Sequence, residues 1–91
     1  MTDAVQLGAR PVRHRVPGAP LQPGQLVTVV RAVDEEVHDV GEHVGQPGRV
    51  LYLEYSCGCG QTYPGDPMIG VRLGDVGPVV EFWKEELEVR P

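Results

Sequence analysis

The chain has 91 residues, of which 41% are hydrophobic and 23% are charged, and this is the size of one small domain. Its formal net charge of −5 argues against a protein that neutralises nucleic-acid phosphates, because that task needs a surplus of Lys and Arg. The charge is also uneven, since residues 26–91 carry five basic against twelve acidic side chains, a net charge of −7. We therefore expect an acidic domain that does not bind nucleic acid directly.

Residues 1–17 are predicted to form a flexible arm, and residues 18–91 are predicted to form the folded domain. Four Pro and three Gly lie within the first 25 residues, and the apolar residues there follow no strand or helix period. The start of the chain lacks the apolar core of a secretory signal, and no apolar run approaches the roughly 18 residues of a membrane span. We expect a cytoplasmic protein without membrane association.

Five short strands are predicted after this arm. Each is rich in β-branched residues or alternates in polarity, and each is bounded by Gly, Pro or acidic residues. A single 3₁₀ turn is predicted at residues 84–86. The strands are predicted at residues 26–31, 48–55, 68–73, 79–83 and 87–89.

The long acidic segment between the first two strands is predicted to be an irregular loop or a β-excursion. Four Val at helical spacing are compatible with a helix from Asp34 to Val44, but β-branched residues and the internal Gly41 disfavour it. Five short strands joined in this way predict an all-β fold, a small five-stranded SH3-like barrel. Its core is assigned to Val29, Val50, Leu53, Ile69, Val71, Val80 and Leu87.

Cys57 and Cys59 lie in a loop that is rich in Gly and Pro, at residues 56–67. With His38 and His43 they could complete a four-ligand zinc site, but structural zinc sites usually space their cysteines by two to four residues. A disulfide across one residue would be strained and easily reduced, so a redox sensor is a second alternative. We expect free thiols, no metal and no cofactor.

The sequence contains no catalytic constellation that we can identify. It has no Gly-rich phosphate loop between a strand and a helix, and no nucleophile, base and orienting group at a familiar spacing. We expect a protein that is not an enzyme.

Carboxylates cluster at two places in the sequence, residues 34–42 and residues 85–88. The aromatic residues Tyr63, Phe82 and Trp83 are expected near the point where the two clusters meet on a small barrel. Such a surface suits a basic partner, through charge steering and stacking of Arg on aromatic rings. Charged residues also keep a small domain soluble, and that alternative stays open.

From Gly18 onward, the chain resembles the CarS family of myxobacterial antirepressors. The two specific motifs are Tyr-Pro-x-Asp-Pro-(Met/Leu)-Ile, which begins at Tyr63, and Phe-x-x-Glu-Glu-Leu-Glu, which begins at Phe82. Similar residues also occur at positions 18–20, 29–30, 45–50 and 61–71.

The resemblance implies an SH3-topology protein that mimics operator DNA in light-induced carotenoid synthesis. It would bind the DNA-recognition helix of a MerR-type repressor and so relieve repression, as a monomer with a protein partner. An SH3-like interaction or accessory domain of a larger complex is the alternative. The implied partner-binding residues are Asp66, Glu81, Glu85, Glu86, Trp83 and Tyr63, with a second tier of Asp34, Glu35, Glu36 and Glu54.

Overall fold

The fold is all-β, and the computed structural model describes residues 11–33, 40–55 and 63–90. Six strands in these segments form one antiparallel sheet. Two 3₁₀ turns, η1 and η2, accompany them. The elements in chain order are β1 (Pro11–Val12), β2 (Leu26–Val29), η1 (Gly41–His43), β3 (Pro47–Glu54), β4 (Met68–Leu73), β5 (Val79–Phe82), η2 (Lys84–Glu86) and β6 (Leu87–Val89).

The strands follow the order β5-β4-β3-β2-β6, and β1 pairs with β3 outside this path. The long strand β3 pairs with β4 on one side, and on the other with β2 near its start and with β1 near its end. Within the described segments, β5 and β6 lie at the two ends of the path and do not pair with each other. The sheet is therefore open and six-stranded, where the sequence predicted a closed barrel of five strands.

The core is built mainly from inward-facing residues of the strands, and Val16, Leu21 and Val40 join it from the segments between strands. Val50 and Leu53 are both buried although they are three residues apart, and strict alternation would place them on opposite faces. A register shift between Val50 and Tyr52 brings both inward. Six of the seven predicted core residues are buried, and the seventh, Val80, is half-buried and packs against the core.

Residues 11–17, which the sequence predicted to be part of a flexible arm, pair and pack with the folded domain. Val12 of β1 pairs with Leu53 of β3, and Val16 is only 1% exposed. The side chain of Gln22 accepts a hydrogen bond from the Val16 N–H at 2.8 Å and donates one to the Val16 carbonyl oxygen at 2.7 Å. This side-chain amide satisfies the backbone groups that a neighbouring strand would otherwise satisfy.

The long acidic segment is described only at its two ends. Residues 34–39 lie outside the described residues, so the choice between loop and helix is not decided there. Gly41–His43 forms the 3₁₀ turn η1 at the end of this segment, and Val40 before it is buried. No helix in the described parts of the chain is long and apolar enough to cross a membrane.

Candidate protein-interaction surface

Lys84 joins two segments that are distant in sequence, the turn at residues 63–66 and the 3₁₀ turn η2. Its Nζ atom lies 2.8 Å from Oδ1 of Asp66 and donates a hydrogen bond to the Gly65 carbonyl oxygen at 3.2 Å. The hydrogen bond with Asp66 raises the pKa of Lys84, and the charges of Asp66 and Glu85 act in the same direction. Both partners of the ion pair are partly exposed, so the pair adds little to the stability of the fold.

Tyr63 presents an aromatic ring to solvent at the start of this turn. Its side chain is 67% exposed, and its ring meets that of Tyr55 edge to face with centroids 4.9 Å apart. The Tyr55 hydroxyl donates a hydrogen bond to the Pro64 carbonyl oxygen at 2.9 Å, and the pKa of Tyr55 is raised, first by burial and then by Tyr63. The exposed ring of Tyr63 therefore packs against the ring of Tyr55, which is itself hydrogen-bonded to the turn.

Glu81 lies on the outer face of the sheet, where it is bonded within the protein. The Tyr52 hydroxyl donates a hydrogen bond to Oε2 of Glu81 at 2.8 Å, and the Arg13 guanidinium lies 5.3 Å from the centroid of the Tyr52 ring. Gly70 pairs with both Tyr52 and Glu81, and a Cβ atom there would lie 2.2 Å from the ring. Burial, and then the hydrogen bond to Glu81, raise the pKa of Tyr52 to about 12.

Glu86 is a buried carboxylate, whereas the sequence predicted a phosphate mimic at the surface at this position. Its side chain is 0% exposed. Oε1 accepts a hydrogen bond from the Trp83 N–H at 2.8 Å, and Oε2 accepts one from the Val33 N–H at 3.0 Å. The Glu86 carbonyl oxygen also accepts a hydrogen bond from the Val30 N–H at 2.8 Å. Glu86 therefore connects η2 by hydrogen bonds to the segment that follows β2.

Glu85 is exposed on the same 3₁₀ turn, and Trp83 before it is half-buried. The guanidinium of Arg31 donates a hydrogen bond to the backbone carbonyl oxygen of Glu85, which leaves the carboxylate out of this contact. A 3₁₀ helix has three residues per turn, so consecutive side chains point about 120° apart. This geometry explains why Glu85 faces solvent while Glu86 faces the interior.

Of the second-tier residues, Glu54 is described and is only 9% exposed. It lies on β3 opposite Pro11 of β1. The other three members, Asp34, Glu35 and Glu36, lie outside the described residues.

The structure thus brings Tyr63, Asp66, Trp83 and Glu85 to two turns that Lys84 joins. Sequence reasoning missed Lys84, and it missed the pair of Arg13 and Tyr52. The three-residue spacing from Trp83 to Glu86 is that of a capping box, in which a carboxylate accepts a backbone N–H at the start of a helix, and this signal could have predicted the hydrogen bond from the Trp83 N–H to Glu86, although not the burial of Glu86.

Within residues 11–33, 40–55 and 63–90, no group of three or more His, Cys, Asp or Glu side chains is arranged to hold a metal ion. Cys57 and Cys59, the candidates for a metal or redox sensor, lie outside those ranges. Comparison with known proteins finds no matching family model, no similar curated protein and no similar solved structure. The resemblance to antirepressors therefore stays a prediction.

Proposed function

We propose that this protein is a transcriptional antirepressor that binds the DNA-recognition helix of a MerR-type repressor. The binding site is the acidic–aromatic surface, which we define as Tyr63, Asp66, Trp83 and Glu85. One observation carries the proposal: Lys84 is bonded to the turn at residues 63–66, so the exposed ring of Tyr63 and the Asp66 carboxylate lie beside the 3₁₀ turn that carries the exposed Glu85.

The charge of the chain supports this choice of partner. Residues 26–91 have a net charge of −7, and four of the acidic residues lie within residues 34–39. Val33 directly precedes residues 34–39 in the sequence, and its N–H donates a hydrogen bond to Glu86, the neighbour of Glu85. A recognition helix carries Arg and Lys side chains placed to meet phosphates and base edges, so an acidic surface competes for the same side chains. Binding of this kind is fast at low salt and slows as salt rises.

The finer fold assignment belongs to the same proposal. The strand path β5-β4-β3-β2-β6 and the 3₁₀ turn just before the last strand support an SH3-like topology. A partner that acts on DNA in a bacterial cell places the protein in the cytoplasm, where we propose that it acts as a monomer.

A gel-shift titration tests the proposal. A MerR-type repressor from the same genome is bound to its operator fragment, and the protein is added at increasing concentration. We expect release of free operator DNA, while the protein alone leaves the operator unshifted. A repressor that stays on its operator at saturating protein would refute the proposal.

Two charge reversals locate the surface in the same assay. Glu85→Lys should abolish release, since it reverses an exposed charge while the Arg31 hydrogen bond uses only the backbone of that residue. Asp75→Lys is the matched control, because Asp75 is exposed in the turn after β4. The six residues of β4 separate it from Asp66 by about 20 Å. Equal loss in both variants would indicate an effect of net charge and would contradict the proposed location.

A further inference from the structure

We infer that the turn at residues 63–66 holds a cation cradle, which Lys84 occupies in the free protein and which an arginine side chain of the partner takes by displacing Lys84. The cradle consists of the Gly65 carbonyl oxygen and the Asp66 carboxylate, beside the exposed ring of Tyr63. The inference deepens the proposed function and rests on it for the identity of the natural partner. The chemistry of the cradle is tested without that partner.

The occupant seen in the structure shows what the cradle binds. The Lys84 ammonium group contacts one oxygen atom of each group, at 2.8 Å from Asp66 Oδ1 and 3.2 Å from the Gly65 carbonyl oxygen. The pKa of Lys84 is raised by the same hydrogen bond, which shows that the cradle favours a positive charge. Tyr63 adds an aromatic face that is 67% exposed in the same turn.

Arginine suits this site better than lysine does. A guanidinium group is planar and carries five N–H donors, so it bonds to both oxygen atoms of a carboxylate and stacks on a ring at the same time. An ammonium group is a compact point charge without a planar face to stack on a ring. An arginine side chain therefore suits the Asp66 carboxylate and the Tyr63 face together, whereas Lys84 contacts Asp66 Oδ1 and the Gly65 carbonyl oxygen.

Lys84 can leave the cradle without unfolding the turn that carries it. Its ion pair with Asp66 lies at the surface, with side chains 36% and 43% exposed, and exposed pairs of this kind are weak. The position of η2 is fixed by Glu86, whose buried carboxylate binds the Trp83 and Val33 N–H groups. The exchange of one cation for another thus changes side-chain contacts and leaves the backbone in place.

The test uses a synthetic alanine-based helical peptide that carries several arginines, and NMR titration follows the amide signals of Gly65 and Asp66. Lys84→Met should bind the peptide about three-fold more tightly than the wild type, because the internal competitor is gone. Asp66→Asn should bind it about five-fold more weakly, and Lys84→Met should add no gain in that background. The same peptide with lysines should bind the wild type more weakly than the arginine form.

Arg72→Met is the matched control, because it removes one exposed positive charge on β4, away from the cradle. If it tightens binding as much as Lys84→Met does, the gain comes from net charge and the cradle is wrong. Unchanged affinity of a folded Lys84→Met protein also overturns the inference. If that variant does not fold, the test uses the wild-type protein and follows the NMR signals of the Lys84 side chain. These signals should shift when the peptide binds, and unshifted signals at saturation overturn the inference.

Failure of the cradle and failure of the antirepressor function give different results. If the peptide displaces Lys84 while the repressor stays on its operator, the cradle stands and the proposed function fails. If the repressor is released equally well by wild-type, Lys84→Met and Asp66→Asn proteins, the proposed function stands and the cradle is wrong.

Discussion

Replacement of the buried Glu86 by Gln should destabilise the protein although it changes one atom and removes one formal charge. The carboxylate accepts two backbone N–H groups, from Trp83 at 2.8 Å and from Val33 at 3.0 Å. A Gln side chain offers one carbonyl oxygen, so one N–H loses its acceptor and faces the new NH₂ group. Both hydrogen bonds are partly buried, so the loss of one acceptor should cost about 1–2 kcal/mol, and Glu86→Ala, which removes both acceptors and the buried side chain, should cost about 2–4 kcal/mol.

Urea unfolding measures this loss through the fluorescence of Trp83, the single Trp of the chain. The slope of the free energy of unfolding against urea should stay unchanged while the midpoint falls. Glu85→Gln is the matched control on the neighbouring residue, and its exposed side chain predicts a change within about 0.5 kcal/mol. If Glu86→Gln unfolds at the same midpoint as the wild type, the role assigned to these two hydrogen bonds is incorrect.

Two further predictions concern the outer face of the sheet. Gly70→Ala should lower the free energy of unfolding by about 1–3 kcal/mol, because the added Cβ would lie 2.2 Å from the Tyr52 ring. Tyr52→Ala in the same chain should relieve part of this loss. Additive losses in the double variant would contradict the predicted clash. The pKa of Tyr52 is raised from 10.0 to about 12, so the folded state holds its proton more tightly than the unfolded state does. The resulting stability is complete below pH 10 and is lost as pH rises towards 12, by about 1 kcal/mol after allowance for solvent screening. Tyr52→Phe should remove this pH-dependent part, which alkaline urea unfolding measures, and an unchanged dependence would show that another group causes it.

The strands that carry strong local signals could be predicted from the sequence. The bounds of β4, η2 and β6 agree with the predicted ranges, since turn residues and alternation fix them locally. The strand β1 could not be predicted, because its two residues form a strand only by pairing with the end of β3. Burial of Val16 likewise depends on the side chain of Gln22, six residues away, and the periodicity of the sequence does not predict such a contact.

The candidate site was predictable in its residue types and less so in its arrangement. Tyr63 and Asp66 stand out by motif, and the structure places them in one turn. Glu85 and Glu86 are chemically identical in the sequence, and only the positions of the Trp83 and Val33 N–H groups make one of them internal. Burial of a carboxylate depends on donors contributed by other segments, which the local sequence does not reveal.

Glu85 and Glu86 have different roles, and this difference determines how binding data on the acidic–aromatic surface must be interpreted. Glu86 fixes the backbone of η2, and this backbone sets the directions in which Lys84 and Glu85 project. A change at Glu86 therefore alters the acidic–aromatic surface indirectly, and any loss of partner binding should be accompanied by a loss of stability. A change at Glu85 alters the surface charge directly, with the backbone contact to Arg31 retained. Loss of binding without loss of stability is thus the signature of a contact residue, and in this pair only Glu85 can give it.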